Sequence, residues 1–232
     1  MRLVCIPNAG GNAAQYSSWQ PLLGSRIECC PARLPGREGR LREAPYDELH
    51  DLVSDLGSWL ANRADVPLAL FGHSLGGVIA FELARLLRRS GAKVIYLIAA
   101  ACSAPHCPRR QAALHGLPDA EFLEKMRSRY GGIPEAVAED AEWMALMLPT
   151  LRADVKMLET YRYREEEPLD CPILALGGTE DKTVLLSDLA AWRDQTTASF
   201  SQRTFPGDHF FVSRSQRAVV RLIRQRISAS GL

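Results

Sequence analysis

The segment from Gly72 to Gly76 reads Gly-His-Ser-Leu-Gly and places a serine where it could act as a nucleophile. The apolar run before it, Pro67 to Phe71, is typical of a buried strand, and the apolar residues after it recur at helical spacing. A G-x-S-x-G sequence between a strand and a helix is a nucleophile elbow, a sharp turn that exposes the serine hydroxyl. An incidental serine in a glycine-rich turn is the alternative. The flanking strand and helix favour Ser74 as a nucleophile.

A general base must take the proton of Ser74, because a serine hydroxyl alone is a weak nucleophile. In folds with this elbow, the catalytic acid follows the serine along the chain and the catalytic histidine follows the acid. His209 is the only histidine that follows a late predicted strand, and it is therefore the predicted base. The other histidines precede Ser74, adjoin it, or come before any acid at a suitable strand end: His50, His73, His106 and His115.

An acid must orient the histidine and stabilise its charged form. The predicted strand that ends near Gly178 is followed by Glu180 and Asp181, whose adjacent side chains point in different directions. We take Asp181 as the acid and keep Glu180 as the alternative, since spacing alone does not separate them. Asp208 is interpreted as a turn residue, because a carboxylate next to a histidine in sequence rarely reaches its imidazole side-on.

The loop Pro7–Asn12 follows the first predicted strand and contains two adjacent glycines. A loop of this kind can direct free backbone N–H groups at one point. If it lies beside the elbow, the N–H groups of Ala9 and Leu75 would form an oxyanion hole, since the residue after the nucleophile supplies one donor. An ordinary strand-to-helix connection is the alternative.

Strands and helices alternate over most of the chain, which predicts βαβ crossovers and a mostly parallel sheet with helices on both faces. The fold class is therefore α/β, with active residues at the carboxyl ends of the strands. The strands around the elbow strand are predicted at Leu3–Ile6, Ile27–Ala32, Val94–Ala101, Pro172–Gly177 and Ser199–Phe205. The helices of this alternating part are predicted at Ala13–Leu23, Tyr46–Ala64, Val78–Arg89, Leu185–Trp192 and Ser213–Ser228.

Between residues 104 and 163 the alternation gives way to helical segments alone, predicted at Asp119–Tyr130, Glu135–Leu148 and Thr150–Tyr163. We interpret residues 104–163 as a helical lid inserted into a core formed by residues 1–103 and 164–232. Every methionine but the initiator lies in this lid. Flexible methionines suit an adaptable acyl-binding surface, although ordinary helix packing explains them equally well. The candidate substrate contacts are Met126, Trp143, Met144 and Met147.

The composition points to no charged macromolecular partner, because 28 lysines and arginines stand against 27 aspartates and glutamates. We expect neither nucleic acid nor a membrane surface as a partner. Two local clusters of arginines, at residues 33–42 and in the last predicted helix, could meet a phosphate or an acidic partner or could simply remain solvated. We leave both interpretations open.

The six cysteines show neither a CxxC motif nor zinc-ligand spacing, and we interpret them as reduced thiols. We therefore expect no metal. The chain starts directly in a predicted strand, without a signal-peptide pattern, and no apolar run approaches 18 residues. We expect a cytoplasmic protein, and we expect it to be a monomer.

Seven segments together resemble the type II thioesterases, the stand-alone α/β-hydrolase editing enzymes of polyketide and nonribosomal peptide synthesis. The resemblance covers nearly the whole chain, and the two lid segments are more diagnostic than the elbow, which many esterases share. The matching segments are Pro7–Gly11, Leu34–Arg37, Gly72–Gly77, Tyr130–Pro134, Leu148–Asp154, Gly177–Asp181 and Gly207–Phe211.

The resemblance implies an α/β-hydrolase fold and a Ser-His-Asp mechanism, and it selects Asp181 over Glu180. It further implies hydrolysis of an acyl or aminoacyl thioester on the phosphopantetheine arm of an acyl or peptidyl carrier protein, as suits the removal of aberrant groups from synthases. The protein itself would need no cofactor, since the partner carries the phosphopantetheine. A small-molecule carboxylesterase or lipase, an acyltransferase and a non-catalytic binding protein are the alternatives.

Overall fold

The computed structural model describes residues 1–61, 65–132 and 140–229. Across these residues, six parallel strands form one sheet in the order β2-β1-β3-β4-β5-β6. The strands are β1 (Arg2–Ile6), β2 (Glu28–Pro31), β3 (Leu68–His73), β4 (Val94–Ala100), β5 (Ile173–Gly178) and β6 (Phe200–Phe205). The prediction of an α/β fold around a parallel sheet is confirmed.

Helices cover both faces of the sheet, because its central strands are apolar on both sides. The α-helices are α1 (Gln20–Leu23), α2 (Leu49–Ala61), α3 (Leu75–Arg89), α4 (Asp119–Tyr130), α5 (Ala141–Thr160), α6 (Leu186–Ala190), α7 (Phe211–Arg214) and α8 (Gln216–Ala229). One apolar core lies on the face covered by α2 and α3 and includes Leu70 and Phe81. A second core lies on the face covered by α1 and α8 and includes Phe71 and Ile223.

The predicted helix Ala13–Leu23 is wrong as a single element. The chain instead forms a 3₁₀ turn at Ala13–Tyr16 and then the short helix α1. Pro21 lies in the first turn of α1, where a backbone N–H would have no acceptor within the helix. In the middle of a continuous helix from Ala13 to Leu23, the same proline would remove a backbone hydrogen bond. The separate turn lets the Tyr16 and Trp19 rings pack edge-on against Phe71, at centroid distances of 5.8 and 4.9 Å.

The predicted break between two lid helices at Pro149 is also wrong, because α5 continues through this proline. Contacts with the rest of the molecule hold the part of α5 that follows it. The Thr150 hydroxyl donates to the carbonyl of Gly36 at 2.8 Å, and the fully buried Asp154 is bonded to Arg37. These contacts offset the backbone hydrogen bond that a proline removes. Residues 135–139 of the predicted lid helix lie outside the described residues.

Several other helix boundaries differ from those predicted. Helix α2 begins at Leu49 rather than Tyr46, and residues 62–64 of its predicted end lie outside the described residues. The closing helix is interrupted at Ser215, where α7 ends and before α8 begins. Between β4 and β5, the described part of the chain carries α4 and α5 and no strand.

Candidate active site

Ser74 lies at the turn between β3 and α3, at the carboxyl edge of the sheet. Its backbone has φ +55° and ψ −117°, a conformation that L-residues rarely adopt. The turn is tight because two glycines line it: a Cβ on Gly72 would lie 1.9 Å from the carbonyl oxygen of Gly76, and one on Gly76 would lie 2.3 Å from that of Ile6. The glycines at both ends of the motif are therefore required by close backbone approach.

Three side chains that are distant in sequence form a hydrogen-bonded chain at this turn. Nε2 of His209 lies 2.9 Å from the hydroxyl oxygen of Ser74, and Nδ1 lies 2.8 Å from Oδ2 of Asp181. His209 follows β6 and Asp181 follows β5, so the carboxyl ends of neighbouring strands bring them together. The structure thus places the predicted nucleophile, base and acid in the order that general-base activation of a serine requires.

The carboxylate of Asp181 is held by more than the histidine. Its Oδ1 accepts hydrogen bonds from the backbone N–H and the hydroxyl of Thr183, at 2.8 and 2.7 Å. Burial alone would raise the pKa of Asp181, but the hydrogen bond and charge of His209, together with the Thr183 bonds, outweigh burial and hold that pKa below its usual value. Glu180 is exposed, so the structure brings Asp181 rather than Glu180 to the imidazole.

His73 and Asp208 lie next to these hydrogen-bonded residues without joining them. Nε2 of the buried His73 lies 2.9 Å from the carbonyl oxygen of His209. Burial, followed by the nearby charge of His209, lowers the pKa of His73 to about 4, so this ring is neutral at pH 7 and can donate that hydrogen bond. Asp208 accepts a hydrogen bond from the N–H of Phe210 at 2.9 Å and pairs with Arg214, in keeping with a turn residue.

The predicted oxyanion donors lie on two separate elements beside Ser74. Leu75 is the first residue of α3, and the first N–H groups of a helix have no intrahelical acceptor. Ala9 lies in the loop after β1, and both this loop and Ser74 line the same cavity. The structure therefore brings the Pro7–Asn12 loop to the elbow, as an oxyanion hole requires.

Sequence analysis missed a buried ion pair behind this loop. Arg37 is 3% exposed and Asp154 is fully buried, and two parallel hydrogen bonds of 2.8 Å join them. The arginine cluster at residues 33–42 predicted either an anionic partner or a solvated surface, and for Arg37 both are wrong. The sequence did contain a hint of this pair. The segments Leu34–Arg37 and Leu148–Asp154 both resemble the family, and they end in residues of opposite charge.

A cavity of about 350 Å³ lies over Ser74 and His209. Three of the four candidate substrate contacts line it: Met126, Met144 and Met147. The side chain of the fourth, Trp143, lies outside the described residues. Other apolar walls come from Leu151, Val155, Leu158 and Phe210.

A second cavity, of about 500 Å³, meets the first at Ser74, Tyr130 and His209. Its other walls come mainly from residues 101–111 after β4 and residues 182–185 after β5. They include polar and charged side chains: Ser103, His106, Arg110, Gln111, Lys182 and Asp188. Ser74 is therefore accessible from an apolar chamber and from a more polar one.

Within residues 1–61, 65–132 and 140–229, no group of three or more His, Cys, Asp or Glu side chains could hold a metal ion. In the same part of the chain, no helix has the length and apolar character needed to cross a membrane.

A parallel sheet with a serine elbow, a histidine after the last strand and a carboxylate after the strand before it defines a serine hydrolase of the α/β-hydrolase fold. Comparison with known proteins narrows this class. The family model of the thioesterase domain matches residues 1–227. Gramicidin S biosynthesis protein GrsT of Aneurinibacillus migulanus is 39% identical over 228 residues, which cover 98% of this chain and 89% of GrsT.

Solved structures agree with the family match. The RedJ thioesterase from the prodiginine pathway of Streptomyces coelicolor is 37% identical, with a TM-score of 0.89 over 97% of this chain and 84% of RedJ. The type II thioesterase BorB from the borrelidin cluster is 36% identical, with a TM-score of 0.88 over 97% of this chain and 91% of BorB. The chain therefore belongs to the thioesterase family, and the resemblance to type II thioesterases is confirmed.

Proposed function

We propose that this thioesterase hydrolyses acyl or aminoacyl thioesters on the phosphopantetheine arm of a carrier protein, and that it clears aberrant groups from a polyketide or nonribosomal peptide synthase. The observation that carries the proposal is the Ser74–His209–Asp181 chain at the junction of two cavities, in a member of the thioesterase family. GrsT is named for gramicidin S biosynthesis and BorB for the borrelidin biosynthetic cluster, and YbtT, 30% identical, is named a type II thioesterase from the yersiniabactin NRPS/PKS pathway.

The proposed reaction proceeds through an acyl-serine. The Ser74 oxygen attacks the thioester carbonyl while Nε2 of His209 takes the hydroxyl proton, and the N–H groups of Ala9 and Leu75 stabilise the oxyanion. The carbon–sulfur bond then breaks, and the thiol leaves with the proton from His209. A thiol has a pKa of about 8.5 and needs less help to leave than an amine. His209 next takes a proton from water as the water oxygen attacks the ester. The bond between the acyl carbon and the Ser74 oxygen then breaks, and His209 returns the proton to that oxygen, which releases the acid and free Ser74.

The two cavities fit the two halves of a thioester. The apolar chamber, with its methionines and aliphatic side chains, suits an acyl chain, because flexible thioethers adapt to different shapes. The more polar cavity suits the amide-containing arm of the thiol, whose polar groups need hydrogen-bonding partners. In this arrangement helices α4 and α5 form the lid side of the apolar chamber and reduce the access of water to the oxyanion, and water exclusion strengthens the electrostatic contacts made there.

The decisive experiment measures acyl loss from a panel of loaded carrier proteins by intact mass, with the Ser74→Ala variant as the control. We expect the parent to release free acid and the variant to lose at least about 1,000-fold in rate, because the nucleophile and its base act as a unit. A strong preference for a free p-nitrophenyl ester would instead favour a small-molecule esterase. An ester or amide product would favour an acyltransferase, and equal activity of Ser74→Ala would remove Ser74 from the mechanism.

The same assay tests the acid. In Asp181→Asn the amide no longer stabilises the imidazolium and favours the wrong tautomer of His209, so we expect kcat to fall by about 1,000-fold or more. Glu180→Gln is the matched control, since it removes an adjacent but exposed carboxylate and should retain the parent rate. A larger loss in Glu180→Gln than in Asp181→Asn would assign the role to Glu180.

A further inference from the structure

The buried Arg37–Asp154 pair contacts the oxyanion loop rather than the solvent or the substrate. We propose that Arg37 and Asp154 are positioning residues that hold the Ala9 N–H in the orientation the oxyanion requires. This inference rests on the proposed function, since it assigns a role only if Ala9 donates to an oxyanion. The ion pair links three segments that are distant in the chain: the loop after β1, the loop after β2 and the lid helix α5.

The pair bonds directly to the backbone of the oxyanion loop. Oδ2 of Asp154 accepts the N–H of Gly10 at 2.8 Å, as well as a hydrogen bond of the same length from Arg37. The same guanidinium nitrogen of Arg37 donates to the carbonyl of Gly11 at 2.9 Å, and Nε donates to that of Pro35 at 3.2 Å. Its charge and most of its donors are thus satisfied inside the molecule, which leaves the guanidinium no role in binding an outside anion.

Hydrogen bonds from Asp154 and from within the loop fix the planes of two consecutive peptide groups. The Ala9 carbonyl and the Gly10 N–H belong to one peptide plane, which Asn8 Nδ2 holds at one end at 2.9 Å and Asp154 holds at the other at 2.8 Å. The Asn8 carbonyl and the Ala9 N–H belong to the preceding plane, in which the carbonyl accepts the Gly11 N–H at 2.8 Å. Because peptide groups are planar, holding these atoms sets the direction of the Ala9 N–H.

The lid helix that carries Asp154 also packs against the same loop. Gly10 has φ +68°, and a Cβ there would lie 2.9 Å from Cδ1 of Leu151, one turn before Asp154. Leu151 in turn lines the apolar cavity over Ser74. The wall of the acyl chamber and the support of the oxyanion donor are therefore parts of one helix. A buried charge pair is a directional support, because its two parallel hydrogen bonds allow only one relative orientation of the partners.

The test replaces the pair with apolar side chains of similar size, in the double variant Arg37→Met/Asp154→Leu, so that no buried charge is left unpaired. Turnover of a short acyl pantetheine thioester is measured together with two dissociation constants. An alkyl trifluoromethyl ketone forms an oxyanion on Ser74, whereas the amide of the same chain length does not. The matched control is Arg40→Met/Glu43→Leu, which removes an ion pair between the half-buried Arg40 and the exposed Glu43 after β2.

We expect the double variant to lose about 100-fold in kcat with KM within about threefold, since a displaced oxyanion donor acts on the transition state alone. Its affinity for the trifluoromethyl ketone should fall by the same factor, while its affinity for the amide stays at the parent value. The control variant should match the parent in all three measurements. A folded double variant with parental kcat, or with equal losses of affinity for ketone and amide, would overturn the assignment.

Arg37→Lys covers the case in which the double variant does not fold. Lysine keeps the buried charge paired but lacks the planar fork, so we expect the same pattern with a loss of about 10-fold in kcat. An unchanged kcat, or parallel losses for both ligands, would again contradict the positioning role. Two other results would contradict the proposed function itself: a parent protein that cleaves no thioester, or a Ser74→Ala variant with full activity. Both are measured without the Arg37 and Asp154 variants, so they are distinct from a failure of the positioning role.

Discussion

At the scale of single residues, the site contains two neighbouring histidines with different surroundings, the proposed base His209 and the buried His73. His209 lies between a hydroxyl and a carboxylate, whereas His73 is buried, with its Nε2 hydrogen-bonded to the carbonyl oxygen of His209 and its ring packed edge-on against Phe210. The adjacent elbow positions 73 and 74 thus have different tasks: one side chain supports the loop of the base, and the other is the proposed nucleophile. Burial is the cause of the difference.

His73 makes the stability of the protein depend on pH. The unfolded chain binds a proton at this residue below about pH 6.5, whereas the folded chain binds one only near its lowered pKa of about 4. The free energy of unfolding therefore falls as the pH drops from 6.5 toward 4, by about 2 kcal/mol at pH 5. In His73→Gln, which keeps an amide donor toward His209, we expect that part of the pH dependence to disappear.

Urea titrations of the parent and His73→Gln at pH 7.5 and pH 5 measure this effect. His50→Gln, a change at an exposed histidine, should follow the parent. Parallel losses of stability in the parent and in His73→Gln would show that another group causes the acid sensitivity.

At the scale of elements, the elbow depends on how closely α3 approaches β1. Gly76 lies in the first turn of α3, and an added Cβ would lie 2.3 and 2.6 Å from the carbonyl oxygens of Ile6 and Pro7. These are backbone atoms at the end of β1 and the start of the Pro7–Asn12 loop, so they cannot move without moving that loop. The same contact brings the elbow and the loop together, and it sets the distance between Ser74 and the proposed oxyanion donor Ala9.

We expect Gly76→Ala to destabilise the protein by about 2–3 kcal/mol, although alanine favours helices, because overpacking against backbone has no cheap relaxation. The measurement is the urea midpoint at pH 7.5. Gly116→Ala is the control: Gly116 is exposed, nothing lies within 4 Å of its added Cβ, and the change should be within about 0.5 kcal/mol. Equal midpoints for the two variants would contradict the close approach.

At the scale of the whole molecule, the apolar cavity exists only where core and lid meet. The elbow and the oxyanion loop contribute its base, and α4 and α5 contribute the methionine and aliphatic walls. We therefore expect acyl-chain preference to depend on side chains that are far from Ser74 in sequence.

Met147→Trp tests this cavity, since the larger ring takes space that a long acyl chain would occupy. Losing the burial of two methylenes costs about 1.6 kcal/mol, so we expect kcat/KM for an octanoyl thioester to fall about 10-fold while that for an acetyl thioester is unchanged. Leu146→Trp is the matched control, because Leu146 neighbours Met147 on α5 and is 48% exposed. The same loss in both variants, or for both substrates, would exclude Met147 from the acyl chamber.

The sequence by itself determined the features that local pattern encodes. Apolar runs predicted the strands of the sheet, the Gly-x-Ser-x-Gly turn identified Ser74, and chain order singled out His209. The apolar periodicity and the placement of glycines are local, because each depends on only a few neighbouring residues. The order of strands and helices constrains the sheet because crossovers between parallel strands are right-handed. The family resemblance added Asp181, which spacing could not separate from Glu180.

Only the tertiary structure decided which charges pair and which elements continue. Arg37 and Asp154 are 117 residues apart and meet in the interior, so a cluster that looks like a solvated surface in sequence contributes a buried ion pair. Helix α5 passes through Pro149 because contacts with distant segments offset the lost hydrogen bond. Both outcomes depend on long-range packing energies, which exceed local propensities and leave no periodic signal in the chain.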